Sequence, residues 1–124
     1  MSEVSIGNDL TVQVLHYALD GVTLQQNVIA NNVSNDQTPN FTASHVDFES
    51  SLHAALQTPS PGSGASAVVS ESTDAPGTDG NNVNLGDEMV AASQATLQYQ
   101  ALVHALNFKF NQLASAMGAP AVTP

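Results

Sequence analysis

Two stretches of this chain place cation-binding residue types at suggestive spacings. His16 and Asp20 stand four residues apart, which on a helix puts an imidazole and a carboxylate on one face, within chelating reach. A metal centre needs more ligands than that pair, and His45, His53 and His104 are scattered along the chain. The four His therefore read as solvated surface groups, and no metal site is expected. The second stretch, GTDGNNVNLGDE from Gly77 to Glu88, ends on Glu at its twelfth position, as a calcium loop does. The central Gly that such a loop requires is Asn82 here. The same residues read more simply as turns at Asp79-Gly80 and Asn81-Asn82. Asn84 would then cap a helix whose first turn carries Asp87 and Glu88 at the positive end of its dipole.

Covalent and acid–base catalysis find equally little to work with. The chain has no Cys, no GxSxG and no Gly-rich phosphate loop. Its Ser and Asp residues crowd into a middle segment poorly suited to fixing catalytic geometry. No enzyme activity and no cofactor are expected. Lys109 is the only Lys or Arg against eleven acids, a formal net charge of −10. That charge repels phosphate backbones and anionic headgroups, so neither nucleic-acid binding nor direct lipid binding is expected. Asn32-Val33-Ser34 and Asn40-Phe41-Thr42 match glycosylation sequons, a pattern with meaning only in a eukaryotic secretory context. The opening residues MSEVSIGNDLTVQ carry no basic region and no continuous apolar block. Any route out of the cytoplasm is therefore expected to need no cleaved Sec signal.

The elements that would position these residues show in the apolar periodicity. From Leu10 to Asn35, Val12, Leu15, Leu19, Val22, Gln26, Ile29 and Val33 alternate at three- and four-residue spacing and form one helical stripe. Val14, Tyr17, Leu24 and Val28 form a second stripe, so this helix has more than one partner to bury against. From Leu85 onward, Leu85, Met89, Ala92, Thr96, Tyr99, Val103, Leu106, Phe110, Leu113 and Met117 keep a seven-residue repeat, which predicts a left-handed coiled-coil seam. Leu97, Ala101 and Phe108 lie off that seam as a second apolar patch. Gly118 and Pro120 supply the stop.

Between the helices, FTASHVDFESSLHAAL could hold a short extended piece and a helical turn or two. The adjoining QTPSPGSGASAVVSESTDAPGTDGNN is rich in Ser, Gly, Pro and Thr and is expected to be a flexible loop. The predicted fold is all-α: long N- and C-terminal helices paired as an antiparallel coiled coil, with a flexible Ser/Gly/Pro-rich middle segment. Two helices alone leave their second stripes exposed, so the chain reads as a subunit that expects neighbours.

The stretch ANNVSNDQTPNF, Ala30 to Phe41, resembles the N-terminal signature of the bacterial flagellar rod and hook family of axial proteins, whose usual form is close to ANNIANADTPGYK. Ala30, Asn31, Asn32, Asn35, Thr38 and Pro39 match, Phe41 stands for the aromatic, and Val33 and Ser34 are conservative replacements. Asn40 replaces the usual Gly, and Asn is the non-Gly residue that best tolerates a left-handed turn. Asp36 and Gln37 differ from the usual Ala-Asp, and Thr42 replaces a frequent Lys. HVDFESSL (His45 to Leu52) is similar to the DIDF element of the proximal rod members of that family. DGNNVNLGDEM (Asp79 to Met89) is similar to their DGNTVDMDRE, and LQYQALVHALNFKFNQL (Leu97 to Leu113) resembles their C-terminal helix.

The resemblance implies a non-enzymatic proximal-rod subunit of the basal body, with a sibling rod subunit or a generic acidic coiled-coil adaptor as the alternatives. It implies polymerisation into the hollow drive shaft that carries torque from rotor to hook. Export through the flagellar type III apparatus would place it outside the cytoplasm, in the periplasm or cell wall. Its partners would be other copies of itself, other rod subunits, the rotor-ring junction protein and the type III export gate. The expected division is an axial helix over 1–35, the signature turn, a short structured piece and the loop over 36–84, the C-terminal helix over 85–118 and a tail over 119–124. The expected helix-packing seam is Leu15, Leu19, Val22, Ile29, Val33, Met89, Tyr99, Val103, Leu106, Phe110, Leu113 and Met117. The amides of Asn31, Asn32 and Asn35 are expected to brace the turn, or else to bond neighbouring subunits.

Overall fold

The computed structural model describes residues 10–57, 67–116 and 118. They form α1 (Leu10–Ser34), β1 (Ser44–Asp47), α2 (Phe48–Leu56), β2 (Val68–Glu71) and α3 (Leu85–Ala116). Asn32, near the end of α1, bonds Glu88 in the first turn of α3. Val22, in the middle of α1, clusters with Ala95 and Leu102 farther along α3. The two long helices therefore run antiparallel. At 25 and 32 residues they are about 37 Å and about 48 Å long.

Each helix end has a local cause. Asp47 caps α2, its carboxylate accepting the Ser50 N–H at 3.1 Å. Asn84 caps α3 in the same way, accepting the Asp87 N–H at 3.1 Å, with Asp87 and Glu88 in the first turn. Past the end of α3, Gly118 adopts a left-handed φ of 79° and its N–H donates to the Ser115 carbonyl, a common glycine stop.

The core forms where four elements meet. Val22 and Ile29 of α1, Val46 of β1, Phe48 of α2 and Ala95 of α3 are buried together, with Leu24, Val28, Ala91 and Leu102 packed around them. On α1, Gly21 gives Phe48 its seat. A Cβ at Gly21 would lie 2.9 Å from Phe48 Cβ and Cγ, so the missing side chain sets the approach of α2 to α1.

The expectation of a purely helical chain with a flexible middle needs one correction. Val68–Glu71 is a strand, paired antiparallel with Ser44–Asp47 in the register Ser44 to Glu71 through Asp47 to Val68. Composition is a poor guide here because the support is non-local. The ladder itself, Ala67 packed on the core and the bridging Asn82 side chain together offset the ordering cost. The remainder of the expected loop, 58–66, lies outside the described residues, as does the 119–124 tail.

Candidate functional site

The signature turn and the segment before α3 interlock through asparagine. At the end of α1, Asn35 Nδ2 donates to the Asn31 carbonyl at 2.8 Å and the Ser34 hydroxyl to that of Ala30 at 2.9 Å. The first reaches one of the four carbonyls at the helix end, and the second is a Ser back-bond onto the last turn. The Thr38 hydroxyl donates to Asn35 Oδ1 at 3.1 Å. Beyond Pro39, Asn40 turns the chain with φ 64°, as its tolerance of the left-handed region predicts. Its N–H donates to the Asp79 carbonyl at 2.9 Å.

Three asparagine side chains form the clasp. Asn32 has no solvent exposure. Its Oδ1 accepts the Ser44 N–H at 3.0 Å while its Nδ2 donates to the Ser44 carbonyl at 2.7 Å and to Glu88 Oε1 at 3.0 Å. One amide thus ties α1 to both β1 and α3. Asn81, buried, donates to the Asn35 and Thr38 carbonyls, each at 2.8 Å, and accepts the Val83 N–H at 2.8 Å. Asn82 accepts the Ala43 N–H at 2.7 Å and donates to the Ser72 carbonyl at 3.4 Å, bridging the end of the β1–β2 ladder. Each amide offers a donor and an acceptor side by side, which a backbone edge also needs. Gly80 completes the fit, with φ 81° and Asn40 packed where its Cβ would stand.

Two carboxylates are shifted in opposite directions, Glu88 in the clasp and Asp47 at the cap of α2. Burial pushes Glu88 above the usual glutamate value and nearby Asp87 adds to this, while the Asn32 hydrogen bond and His45 oppose it. Asp47 is held below its usual value, chiefly by the Ser50 backbone N–H of its cap.

The seven signature residues occupy this corner: Asn32 is buried, Asn35 and Phe41 are half-buried, and Ala30, Asn31, Thr38 and Pro39 are exposed. Of the seam residues, Val22, Ile29 and Leu113 are buried, and Leu15, Leu19, Val33, Val103, Leu106 and Phe110 are half-buried. Met89 and Tyr99 are 53% and 41% exposed, and Met117 lies outside the described residues. Along the first half of α3 the side packed on α1 carries Ala91, Ala92, Ala95 and Leu102. Met89 instead rims a groove of about 400 Å³ between the long helices, shared with Ile29, Ala30, Val33, Ala92 and Thr96. Leu97 and Phe108 are 66% and 68% exposed on α3.

Sequence reasoning missed Asn81, Asn82 and Glu88 as members of the clasp. The available signal was that two Asn-rich stretches, 31–40 and 81–84, both sit at helix ends. Among the described residues no group of His, Asp and Glu could hold a metal ion, and no helix is long and apolar enough to cross a membrane.

Long helices with apolar surface left uncovered, joined at a hydrogen-bonded polar corner, define a helical assembly subunit. No family model matches the chain. Among curated proteins it is 34% identical over 119 residues to the flagellar basal body rod protein FlgB of Bacillus subtilis (strain 168), covering 86% of this chain and 92% of that relative. Shorter matches, 44% identical, reach the proteins of the same name from Borrelia hermsii, over 48 residues, and Borreliella burgdorferi, over 46. These cover 39% and 37% of this chain and 36% and 34% of the relatives. The chain belongs to the family of the flagellar basal body rod protein FlgB.

Proposed function

We propose that this chain is a structural, non-enzymatic subunit of the flagellar basal body, built into the proximal part of the rod. The observation that carries the reading is the match to the Bacillus subtilis rod protein along most of both chains. These three relatives bear the same name, which favours this subunit over a sibling rod protein or a generic adaptor. The subunit acts mechanically. Its long helices pack against those of other copies and other rod proteins as a coiled-coil wall, and torque is spread over many small dispersion contacts. Heterologous contacts that do not close generate a helical tube and not a ring. The exposed apolar groups on α3, Met89, Leu97, Tyr99 and Phe108, are the surface such neighbours would cover. Type III export brings the chain to the periplasm or wall, where the rod stands.

The test separates assembly from folding. Phe108→Asp changes a side chain that the isolated chain leaves exposed, so the monomer keeps its circular dichroism and melting midpoint. Cells carrying it as the sole copy lose rods in purified basal bodies and stop swimming. Normal motility in that strain would remove this α3 face from the assembly surface.

A further inference from the structure

We infer that the outer edge of β2 is a docking site for an extended, cationic peptide segment, which would add a third strand to the sheet. The Ser72 N–H donates to the Ala43 carbonyl at 2.7 Å, and residues 43 and 72 lie opposite each other in the register. That makes 43–72 a hydrogen-bonded pair, and such pairs alternate along an antiparallel ladder. Val68 and Ser70 therefore turn their backbone groups toward β1, whereas Val69 and Glu71 turn theirs outward.

The same parity sends Ser44 outward on the opposite edge of the sheet, and there the Asn32 amide meets both its N–H and its carbonyl. One edge is thus closed by a side chain that mimics a strand. The β2 edge has no such closure: among the described residues the outward groups of Val69 and Glu71 meet no partner. Its side chains are also open, with Val68 59% and Val69 47% exposed. Natural edges of this kind are blunted by Lys or Pro, and Val68–Glu71 contains neither. A row of free backbone donors and acceptors beside exposed Val is the surface that strand addition uses.

Charge selects the occupant. From residue 36 to 84 the chain carries Asp36, Asp47, Glu49, Glu71, Asp74 and Asp79 and no Lys or Arg. A second copy would bring the same acids to the edge and be repelled. A segment with Lys or Arg alternating with apolar residues would set its cations on the face that carries Glu71 and its apolar residues on the opposite face, beside Val68. The surface is separate from the helical faces of the rod contact and does not depend on them.

The experiment uses the full chain and two fluorescent peptides, one alternating Val with Lys and one alternating Val with Glu, read by anisotropy. The Lys peptide binds saturably and shifts the amide resonances of Val69 and Glu71, and the Glu peptide binds at least ten-fold more weakly. Val69→Pro removes an outward N–H, which a sheet edge tolerates, together with the exposed Val69 side chain. It keeps the circular dichroism spectrum and lowers Lys-peptide affinity at least ten-fold. Glu71→Gln, a conservative change, weakens the Lys peptide and narrows the preference over the Glu peptide. Overturning results are absence of saturable Lys-peptide binding, equal binding of the two peptides, undiminished binding by folded Val69→Pro, or resonance shifts confined to α1 and α3.

Discussion

Replacing Asn32 with Ala is the sharpest perturbation of the clasp. Asn32 is fully buried, and its amide serves three groups: the Ser44 N–H, the Ser44 carbonyl and the Glu88 carboxylate. The change leaves both Ser44 groups without their partner on a half-buried strand, at roughly 1 kcal/mol each, and removes a bond to a charged group at roughly 1 kcal/mol more. The expected loss is about 3 kcal/mol, a large share of the ~5–15 kcal/mol that small domains possess. In urea, with a slope of about 1–3 kcal/mol per molar, the midpoint falls by roughly 1–3 M. Circular dichroism at the helix band, followed through a urea titration of the monomer, is the assay.

Asn32→Asp gives the same experiment a direction. It keeps the acceptor for the Ser44 N–H, but sets an oxygen against the Ser44 carbonyl and a second negative charge against Glu88. At neutral pH it is therefore less stable than the Ala variant, and it recovers as acid protonates the carboxyls. A midpoint for Asn32→Ala within about 0.3 M of the parent, at unchanged slope, refutes the reasoning: it would mean that water replaces the amide at no cost.

Three further outcomes rest on single contacts. Gly21→Ala would raise helix propensity by about 1 kcal/mol in isolation, but here its Cβ meets Phe48 at 2.9 Å. Thermal melting should show a net loss of about 1–2 kcal/mol from overpacking. Gly80→Ala puts a side chain at φ 81° and into Asn40, so the amides of Asn40 and Gly77 should exchange with deuterium at least ten-fold faster than in the parent. The two abnormal carboxylates oppose each other in pH. Glu88 is raised when folded, so the native state holds its proton more tightly and stability falls as pH rises through and above the ordinary value of 4.5. Asp47 is lowered, so its contribution is present above 3.8 and is lost as pH falls below it. Melting midpoints of Glu88→Gln should lack the first slope and those of Asp47→Asn the second.

The helices were legible because their signals are local. The apolar rhythm from Leu10 and from Leu85 and the caps at Asn84 and Gly118 anticipate the bounds of α1 and α3 to within a residue or two. HVDFESSL divides into strand and helix at Asp47 for the same reason, since the Asp carboxylate caps the helix that starts at Phe48. The left-handed turn at Asn40 agrees with Asn standing where Gly is usual.

The rest depends on pairs distant in sequence. Nothing within VVSE says that it will meet SHVD, because a four-residue strand has too little pattern to outweigh the Ser- and Gly-rich residues around it. Along α3 up to Leu102 two apolar sets compete: Met89 and Tyr99, exposed on the heptad row, and Ala91, Ala95 and Leu102 beside them, which pack on the core together with the heptad residue Ala92. Periodicity alone favours the row with the larger side chains. The packed structure sets the small one on α1, because Ala95 lets Val22 and Ile29 approach closely enough to be buried. That choice has a consequence for function. With Ala inward, Met89, Leu97, Tyr99 and Phe108 stand outward, and these are the side chains we propose that other subunits cover. The Asn32–Glu88 bond meanwhile ties the first turn of α3 to the end of α1. The proposed rod contact would thus use apolar groups that the helix pair does not need for its own core.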